Sequence, residues 1–244
     1  MNIRPLLNIC YEDVHLIAVN KPARMLVHKT SIDAQEKVNV MHVLRDQLGR
    51  LVYPVHRLDK PTSGILVFAL NPDVAKKLTE SFSDRQVQKK YLAIVRGYTS
   101  ESGVIDYPLK KRIDRKDKHK TKENTPQEAV THYTRLRQAE LPFPTGRYKT
   151  SRYSLLSIQP QTGRQRQIRR HLKHIFHPIV GDTAHGDGKH NLLFRKKYNC
   201  HRLLLHAHKI AFQHPVYNKK LEIKAKLDDV FNEVLLKVFQ CQVD

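Results

Sequence analysis

The sequence has no tryptophan, only three cysteines and no long apolar run. Cys10, Cys200 and Cys241 are odd in number and widely separated, which favours neither a disulfide framework nor a structural zinc site and is typical of a reducing compartment. The longest purely apolar run covers only residues 65–70, whereas a membrane-spanning helix needs ~20 residues. Charged residues interrupt the first segment, so no signal peptide is expected either. These absences predict a cytoplasmic protein without a membrane span.

Acidic residues are also scarce. The sequence has 23 Asp and Glu against 44 Lys and Arg, a net charge of +21. This excess favours an anionic partner, because like charges repel one another in the folded chain. The basic residues do not follow one amphipathic helix, as they would in a membrane-surface binder, so nucleic acid is favoured. They are clustered at residues 110–122 and 164–173, which argues against the alternative of an ordinary solvated basic surface.

Alternation of apolar and polar residues predicts more strands than helices. The predicted strands cover residues 15–20, 64–70, 91–96, 129–136, 153–159 and 203–212. The predicted helices cover residues 40–47, 72–83, 164–176 and 228–239, with Asn71 as the cap of the second helix and Pro72 at its first position. Strands and helices do not alternate regularly, which predicts an α+β fold rather than a doubly wound one.

Neither GxGxxG nor GxxxxGK[ST] occurs, so dinucleotide binding and P-loop chemistry have no support. No repeat or Gly/Ser-rich linker divides the chain, and a single domain is expected. Residues 110–127 are charged and almost free of apolar side chains. We expect them to form an exposed basic insertion rather than a domain boundary, since strand-like sequence resumes directly after them.

Three stretches differ from ordinary core or surface sequence. In the first, Asp59 stands between Arg57 and Lys60 and precedes a Pro-Thr-Ser-Gly turn, where it could also be a simple turn cap. In the second, residues 159–171, a strand end and a Thr-Gly turn lead into an arginine-rich helix start, which suits phosphate oxygens or a buried carboxylate. In the third, Tyr91 opens a strand behind two lysines, and its alternative role is that of a half-buried strand aromatic.

Five ordered motifs extend over nearly the whole chain. They are Val19-Asn20-Lys21-Pro22 with His28; His56-Arg57-Leu58-Asp59 with Thr62-Ser63-Gly64 and Ala69; Lys90-Tyr91-Leu92-Ala93; Thr162-Gly163-Arg164 with Gln167-Ile168-Arg169 and His171; and His177-Pro178-Ile179-Val180-Gly181-Asp182 with Leu205-His206-Ala207. This pattern resembles the RluA-type pseudouridine synthases. The resemblance implies their fold, with a long mixed, mainly antiparallel sheet flanked by helices and loops, in one catalytic domain over residues 1–244 without an S4-type domain. It implies isomerisation of uridine to pseudouridine in RNA with no cofactor and no metal.

The resemblance also assigns roles to residues. Asp59 is the catalytic carboxylate, Tyr91 is the ring that stacks on the base and helps to remove the C5 proton, and Arg169 is the cation that pairs with Asp59. Asp59 acts in its ionised form whether it attacks the ribose or abstracts a ribose proton, and a buried carboxylate needs a nearby cation to stay ionised. Arg57 is implied in flipping the base out of its stack. The remaining implied RNA contacts are His56, Lys90, Arg164, Arg166 and Arg170.

Three further features resemble the branch of this family that isomerises uridine 65 of tRNA. They are residues 36–49, Thr145-Gly146-Arg147-Tyr148, and Gly181-Asp182 followed by His185-Gly186-Asp187. The chain departs from the family pattern at Arg166, where a histidine is usual, and this puts in doubt any role that needs a neutral imidazole there. RNA, with tRNA foremost, is the expected partner, and neither a membrane nor an obligate protein partner is expected.

Three alternatives stay open. A ribosomal RNA pseudouridine synthase of the same family would share the whole catalytic argument and differ only in its recognition surfaces. A non-catalytic RNA-binding or assembly protein would have no need of Asp59, Tyr91 or Arg169. A metal-dependent nuclease is prompted by His171, His174, His177 and the region of His185 and His190, but no carboxylate pair accompanies these histidines at ligand spacing. Packing, capping or RNA contact is the favoured interpretation of these histidines.

Overall fold

The computed structural model describes residues 6–28, 38–111 and 125–243. The chain divides into two compact units. Unit 1 comprises Met1–Leu92 and Arg202–Asp244, and unit 2 comprises Ala93–His201. Strand β5, Gln88–Arg96, contains the boundary between Leu92 and Ala93. Within the described residues, no helix is long and apolar enough to cross a membrane.

Unit 1 is built on a mixed, mainly antiparallel sheet. Its other strands are β1 Asn8–Glu12, β2 Leu16–Lys21, β3 Tyr53–Pro54, β4 Ser63–Ala69, β9 Leu205–Gln213 and β10 Lys220–Lys224. They follow the order β1-β2-β4-β9, with β3 paired to β4 and β10 paired to β9. The β4–β9 pair is parallel, whereas β1–β2, β2–β4, β3–β4 and β9–β10 are antiparallel.

Helices cover both faces of this sheet. They are α1 Val40–Leu48, α2 Pro72–Ser83 and α5 Asp229–Val234, the last continued by a π-helical turn, Leu235–Phe239. Every residue of β4 is buried, and its side chains alternate between two hydrophobic clusters. Ile65 packs in the cluster that contains residues of α2, and Leu66 packs in the cluster that contains residues of α1. The two-residue period of a strand therefore explains why residues 64–70 read as one continuous apolar run.

In its described residues, unit 2 contains an antiparallel sheet and two helices. Its elements are β6 Ser102–Asp106, β7 Val130–Leu141, β8 Ser151–Pro160, α3 Gln167–His174 and α4 Gly188–Tyr198. β7 lies between β6 and β8, and both pairs are antiparallel. α3 is joined to the start of β7 because the side chain of Gln167 donates to the carbonyl oxygen of Val130 at 2.9 Å and to Oγ1 of Thr131 at 2.9 Å.

The structure confirms the α+β class and all the predicted strands and helices, and the ends of all of them except α2 are changed. α3 is shorter than the predicted 164–176, because Arg166 and Phe176 at its two ends both have positive φ, 55° and 63°. The pattern does not predict β1, β3, β6, β10 or α4. These strands have at most five residues, and α4 has apolar side chains only near its middle, so neither gives a clear period.

The predicted basic insertion, residues 110–127, lies mostly outside the described ranges, since residues 112–124 are not among them. Its two ends are described and lie side by side. The backbone N–H of Leu109 donates to the carbonyl oxygen of Gln127 at 2.8 Å, and the N–H of Gln127 donates back at 3.1 Å. Lys110 and Lys111 are exposed.

Gly64 fixes how closely β4 and β9 approach each other. Its φ is +109°, and a Cβ built on it would lie 2.2 Å from the carbonyl oxygen of Ala207 and 2.6 Å from its nitrogen. Gly64 and Ala207 are also register partners in the parallel pair. The glycine of the Thr-Ser-Gly motif and the alanine of the Leu-His-Ala motif are therefore two sides of one backbone contact.

We expect Gly64→Ala to lower the free energy of unfolding by about 3 kcal/mol or more, because the added methyl group meets backbone and the positive φ disfavours an L side chain. Urea unfolding measures the change. Gly188→Ala is the matched control, since its Cβ would meet nothing within 4 Å, and it should leave stability within about 1 kcal/mol of the wild type. Equal stabilities for the two variants would contradict the close-approach explanation.

Candidate active site

Asp59 lies in a turn immediately before β4. The carbonyl oxygen of Asp59 accepts from the backbone N–H of Thr62 at 3.0 Å, which closes the turn. Leu58, one residue earlier, is only 6% exposed and packs in the cluster that contains α1 residues. The Asp59 side chain itself is half-buried. The turn therefore rests on the hydrophobic core through Leu58, and Asp59 keeps partial access to solvent.

A fully buried lysine supports this turn. Lys21 has no exposed surface, and its Nζ donates to the carbonyl oxygens of Pro22 at 2.9 Å, Met25 at 2.7 Å and Lys60 at 3.1 Å. Burial lowers the pKa of Lys21 to about 7; the charge of Arg202 adds to this shift and that of Asp59 opposes it. Lys21 thus joins the first motif to the residue that follows Asp59.

Tyr91 lies close enough to Asp59 to feel its charge. It is half-buried in β5 and packs against the same hydrophobic cluster as Leu58. Burial, followed by the negative charge of Asp59, raises the pKa of the Tyr91 hydroxyl well above its usual range. The phenol is therefore protonated at neutral pH, beside a carboxylate in the same unit.

The other motif residues of unit 1 differ in exposure. Arg57 is exposed and Lys90 is half-buried. His56 stacks on Phe82 with ring centroids 4.5 Å apart, and its Nε2 accepts from the backbone N–H of Val67 at 3.0 Å. Burial and the charge of Lys89 lower the pKa of His56 to about 3, so its ring is neutral at pH 7. Of these residues, Arg57 presents the most accessible positive charge.

A buried polar network explains the serine and histidine of two motifs. The Ser63 hydroxyl accepts from Nη2 of Arg202 at 2.7 Å and donates to Nδ1 of His206 at 2.8 Å. Nε2 of His206 donates to the carbonyl oxygen of Ala225 at 3.3 Å. Arg202 also pairs with Asp228, which caps α5 by accepting from Phe231 N–H at 2.9 Å. This network connects the start of β4 with β9 and with α5.

In unit 2, Arg169 is 4% exposed and is held by a two-bond fork. Its Nε donates to Oδ2 of Asp182 at 2.7 Å and its Nη2 donates to Oδ1 at 2.9 Å. Burial opposes the ionisation of Asp182, but the bonds and charge of Arg169, with the N–H groups of His185 and Ala184, lower the pKa of this carboxyl. The fork fixes the plane of the guanidinium, as bidentate geometry does in general.

The Thr-Gly-Arg motif forms the entry to α3. The Thr162 hydroxyl donates to Oε1 of Gln167 at 2.7 Å and accepts from the N–H of Val130 at 3.0 Å. Arg164 N–H donates to the same Oε1 at 2.9 Å. Arg164, Arg166 and Arg170 are each partly exposed around this helix start. These three predicted RNA-contacting arginines therefore lie together near the N-terminal end of α3, and Arg169 lies on the buried side of the same helix.

The histidines that raised the nuclease alternative make structural contacts. His171 is buried, its Nδ1 lies 3.0 Å from Oγ1 of Thr131, and its Nε2 donates to the carbonyl oxygen of Tyr107 at 3.0 Å. His174 stacks on Tyr107 with centroids 3.7 Å apart, and Nδ1 of His177 donates to the carbonyl oxygen of Arg96 at 2.8 Å. Among the described residues, no group of three or more His, Cys, Asp or Glu side chains could hold a metal ion.

Asp59 and Tyr91 stand in separate motifs of the sequence. In the structure, Tyr91 packs against the cluster that contains Leu58, the residue before Asp59, and the charge of Asp59 acts on the Tyr91 hydroxyl. Arg169 belongs to unit 2, so its pairing with Asp59 stays a prediction. The sequence-based set did not include Lys21, Asp182 or Arg202. Lys21 and Asp182 stand inside recognised motifs, and their position there could have indicated that they support the site. Arg202 had none, because its Ser63 partner is 139 residues away.

Comparison with known proteins gives consistent results. Residues 15–174 match the family described as RNA pseudouridylate synthase. The chain is 50% identical over 232 residues to tRNA pseudouridine synthase C of Vibrio parahaemolyticus, covering 95% of this chain and 94% of that protein. It is 47% identical over 231 residues to the protein of the same name from Haemophilus influenzae, covering 94% of this chain and 97% of that protein.

Solved structures support the same fold. Human RNA pseudouridylate synthase domain containing 4 aligns with a TM-score of 0.70 at 27% identity and covers 95% of this chain and 93% of its own. Human RNA pseudouridylate synthase domain containing 1, at 23% identity and a TM-score of 0.69, shows the fold alone. The family match covers most of the chain, and relatives of about 50% identity cover nearly all of it. The chain therefore belongs to the RluA-type RNA pseudouridine synthase family.

Proposed function

We propose that this chain isomerises uridine to pseudouridine in tRNA, at position 65. The single observation that carries this proposal is 50% identity, over 95% of the chain, to a relative named tRNA pseudouridine synthase C. The net charge of +21 agrees with a polyanionic substrate. A cytoplasmic location follows from this substrate.

The reaction breaks the bond between C1′ and N1 and forms a bond between C1′ and C5. The C5 proton leaves and N1 gains a proton, so no atom is added and no redox change occurs. One ionised carboxylate near the sugar is enough to start either of the two proposed routes, attack on the ribose or abstraction of a ribose proton. We assign this role to Asp59, which is half-buried in a turn. Leu58 anchors this turn in the hydrophobic core, and Lys21 donates to the carbonyl oxygen of Lys60 in it.

Tyr91 is assigned to the base. Its hydroxyl is protonated, because burial and the charge of Asp59 raise its pKa, so it is a poor base on its own. A phenol that keeps its proton can still relay the C5 proton: its oxygen accepts that proton while its own hydroxyl proton passes to solvent, and solvent supplies the proton that N1 gains. Its ring, packed against the core, offers a fixed face for the uracil.

The remaining assignments concern charge and base flipping. Arg57 is exposed next to Asp59 and is proposed to replace the flipped base. Arg169, held by Asp182, is proposed as the cation that keeps Asp59 ionised, on the family resemblance alone. Arg164, Arg166, Arg170 and Lys90 are proposed to contact phosphates. His56 is proposed only as a neutral RNA contact, because its pKa of about 3 leaves it uncharged at pH 7.

Asp59→Asn should lower the rate of isomerisation by at least about 1000-fold and leave tRNA affinity near that of the wild type, because the reacting carboxylate is lost while the basic surface is kept. Tritium release from a tRNA transcript that contains 5-tritiated uridine measures the rate, and filter binding measures affinity. Asp73→Asn is the matched control: it makes the same charge change at an exposed residue of α2. A transcript with cytidine at position 65 tests the position. Turnover by Asp59→Asn within a few-fold of the control would refute the catalytic assignment.

Tyr91→Phe keeps the ring and removes only the hydroxyl. We expect normal tRNA binding and isomerisation slower by about 100-fold or more, in the range of a lost proton-transfer group. Single-turnover tritium release under saturating enzyme isolates this chemical step. An unchanged rate would mean that the hydroxyl has no role and that the ring alone contributes.

Lys21→Met removes the donors from the carbonyl oxygens of Pro22, Met25 and Lys60 while keeping an unbranched side chain. We expect the free energy of unfolding to fall by about 1–3 kcal/mol, since these buried acceptors lose their partners. Lys76→Met, at an exposed position of α2, is the control and should change stability by less than about 0.5 kcal/mol. Similar stability for both variants in urea unfolding would show that Lys21 does not hold the turn.

A further inference from the structure

Phe176 is the most exposed large apolar side chain among the described residues, with 78% of its surface open to solvent. It follows α3 directly and takes no part in the catalytic assignments above. A single exposed apolar side chain is common on a protein surface, so the case for a contact rests on how the backbone presents this ring and on the charges around it.

The backbone at Phe176 is in the left-handed region, with φ of 63°. It is the residue just after the helix cap, and the helix ends in a two-bond turn: Phe176 N–H donates to the carbonyl oxygen of Lys173 at 3.0 Å, and His177 N–H donates to that of Leu172 at 2.8 Å. Glycine is the usual residue at this position of such a turn, because it alone adopts positive φ without steric strain. The chain therefore carries a large ring where the fold by itself favours none.

The turn that presents this ring is firmly held. The carbonyl oxygen of Phe176 accepts from Nη2 of Arg96 at 3.2 Å, and Nη1 of the same guanidinium pairs with Oδ2 of Asp187 at 2.6 Å. His177 donates from Nδ1 to the carbonyl oxygen of Arg96 at 2.8 Å. Because the backbone of this turn is already fixed, binding restricts only the side-chain torsions of Phe176, which lowers the entropic cost of using it as a contact.

The surroundings of the ring are basic. Lys173 and His174, in the last turn of α3, are both exposed, and Arg96 is partly exposed. The His174 ring is already stacked on Tyr107, at 3.7 Å between centroids and 17° between planes. Basic side chains beside a free aromatic face are typical of surfaces that bind single-stranded nucleic acid, in which cations contact phosphates and rings stack on bases. A purely apolar protein partner would not match these charges.

We propose that Phe176 is a stacking contact for an unpaired base of the RNA substrate, with Lys173 and His174 contacting the neighbouring phosphates. The proposal rests on the proposed function for the identity of the RNA. It adds an affinity contact outside the catalytic residues, at the opposite end of α3 from Arg164 and Arg166.

The absence of tryptophan from the chain provides a direct test. The Phe176→Trp variant would contain a single indole, and stacking on a base quenches indole fluorescence. Titration with a tRNA transcript should quench this emission with the same midpoint that filter binding gives. The Leu192→Trp variant is the control: it places the single indole at a 48% exposed position of α4, and its emission should change little.

The second arm separates binding from folding. Phe176→Gly removes the ring and relieves the positive φ, so it should melt at the wild-type temperature or up to about 4 °C above it. Its affinity for the tRNA transcript should nevertheless fall by about 5- to 100-fold, the range of one lost base-stacking contact, with kcat unchanged. Phe176→Tyr should restore the affinity, and Leu192→Ala should not alter it.

The outcomes distinguish this proposal from the proposed function. Affinity of Phe176→Gly within twofold of the wild type, or an unquenched Phe176→Trp variant that still binds the transcript, overturns the stacking contact. Quenching and weakened binding as described, with no tritium release by the wild type, would support the contact and refute the proposed isomerisation. No binding of the transcript by the wild type would overturn both.

Discussion

The close parallel approach of β4 and β9 is the constraint on which the rest of unit 1 depends. It exists because Gly64 has no side chain, so that the backbone of Ala207 comes within 2.2 Å of where a Cβ would lie. One residue earlier, Ser63 connects His206 and Arg202, and Arg202 connects to the cap of α5. The turn that carries Asp59 leads directly into this strand, and Lys21 holds it through the carbonyl oxygen of Lys60. Asp59 is thus positioned by contacts between parts of the chain that are far apart in sequence.

Three of the few acidic residues of this basic chain each make two kinds of structural contact. Asp182, Asp187 and Asp228 each accept from backbone N–H groups of a turn or helix start, and each also pairs with an arginine: Arg169, Arg96 and Arg202 respectively. In each case one carboxylate both caps a turn or a helix start and orients a guanidinium. Arg169 and Arg202 are tolerated in buried positions because the charge of each is paired with a carboxylate, whereas an unpaired buried cation would be strongly destabilising.

The excess of +21 therefore has two components. Some cations are structural and buried, such as Arg169, whose guanidinium is paired with Asp182. Others are exposed or partly exposed, such as Arg57, Arg170 and Lys173, and remain accessible to a polyanion. Composition cannot separate these two groups, because both contribute equally to net charge. Only the folded structure shows which cations are buried and which are accessible.

Local signals in the sequence predicted much of the fold. Helix α2 has the predicted ends, Pro72 and Ser83, and Asn71 caps it by accepting from Val74 N–H at 2.9 Å. The strands with strong apolar patterns were also predicted. By contrast, β10 is five residues long with a single buried residue, and α4 has little periodicity.

The candidate site was predicted through motifs rather than through periodicity. Asp59, Tyr91 and Arg169 were identified because they stand in recognisable motifs, and the structure adds their surroundings. The burial of Lys21, the fork between Arg169 and Asp182, and the fit of Gly64 against Ala207 are tertiary contacts. A single sequence does not reveal such tertiary contacts. Gly64 and Ala207, for example, are 143 residues apart, as are the neighbouring partners Ser63 and His206.

We propose that this chain forms pseudouridine in tRNA through Asp59. Pseudouridine mapping of total RNA tests it most directly, in cells with the gene, without it, and without it but complemented by the Asp59→Asn variant expressed at the same level. We expect one site, uridine 65 of tRNA, to be modified in the first cells and unmodified in the other two. Modification at that site in cells without the gene, its full restoration by Asp59→Asn, or loss of a site only in ribosomal RNA would contradict it.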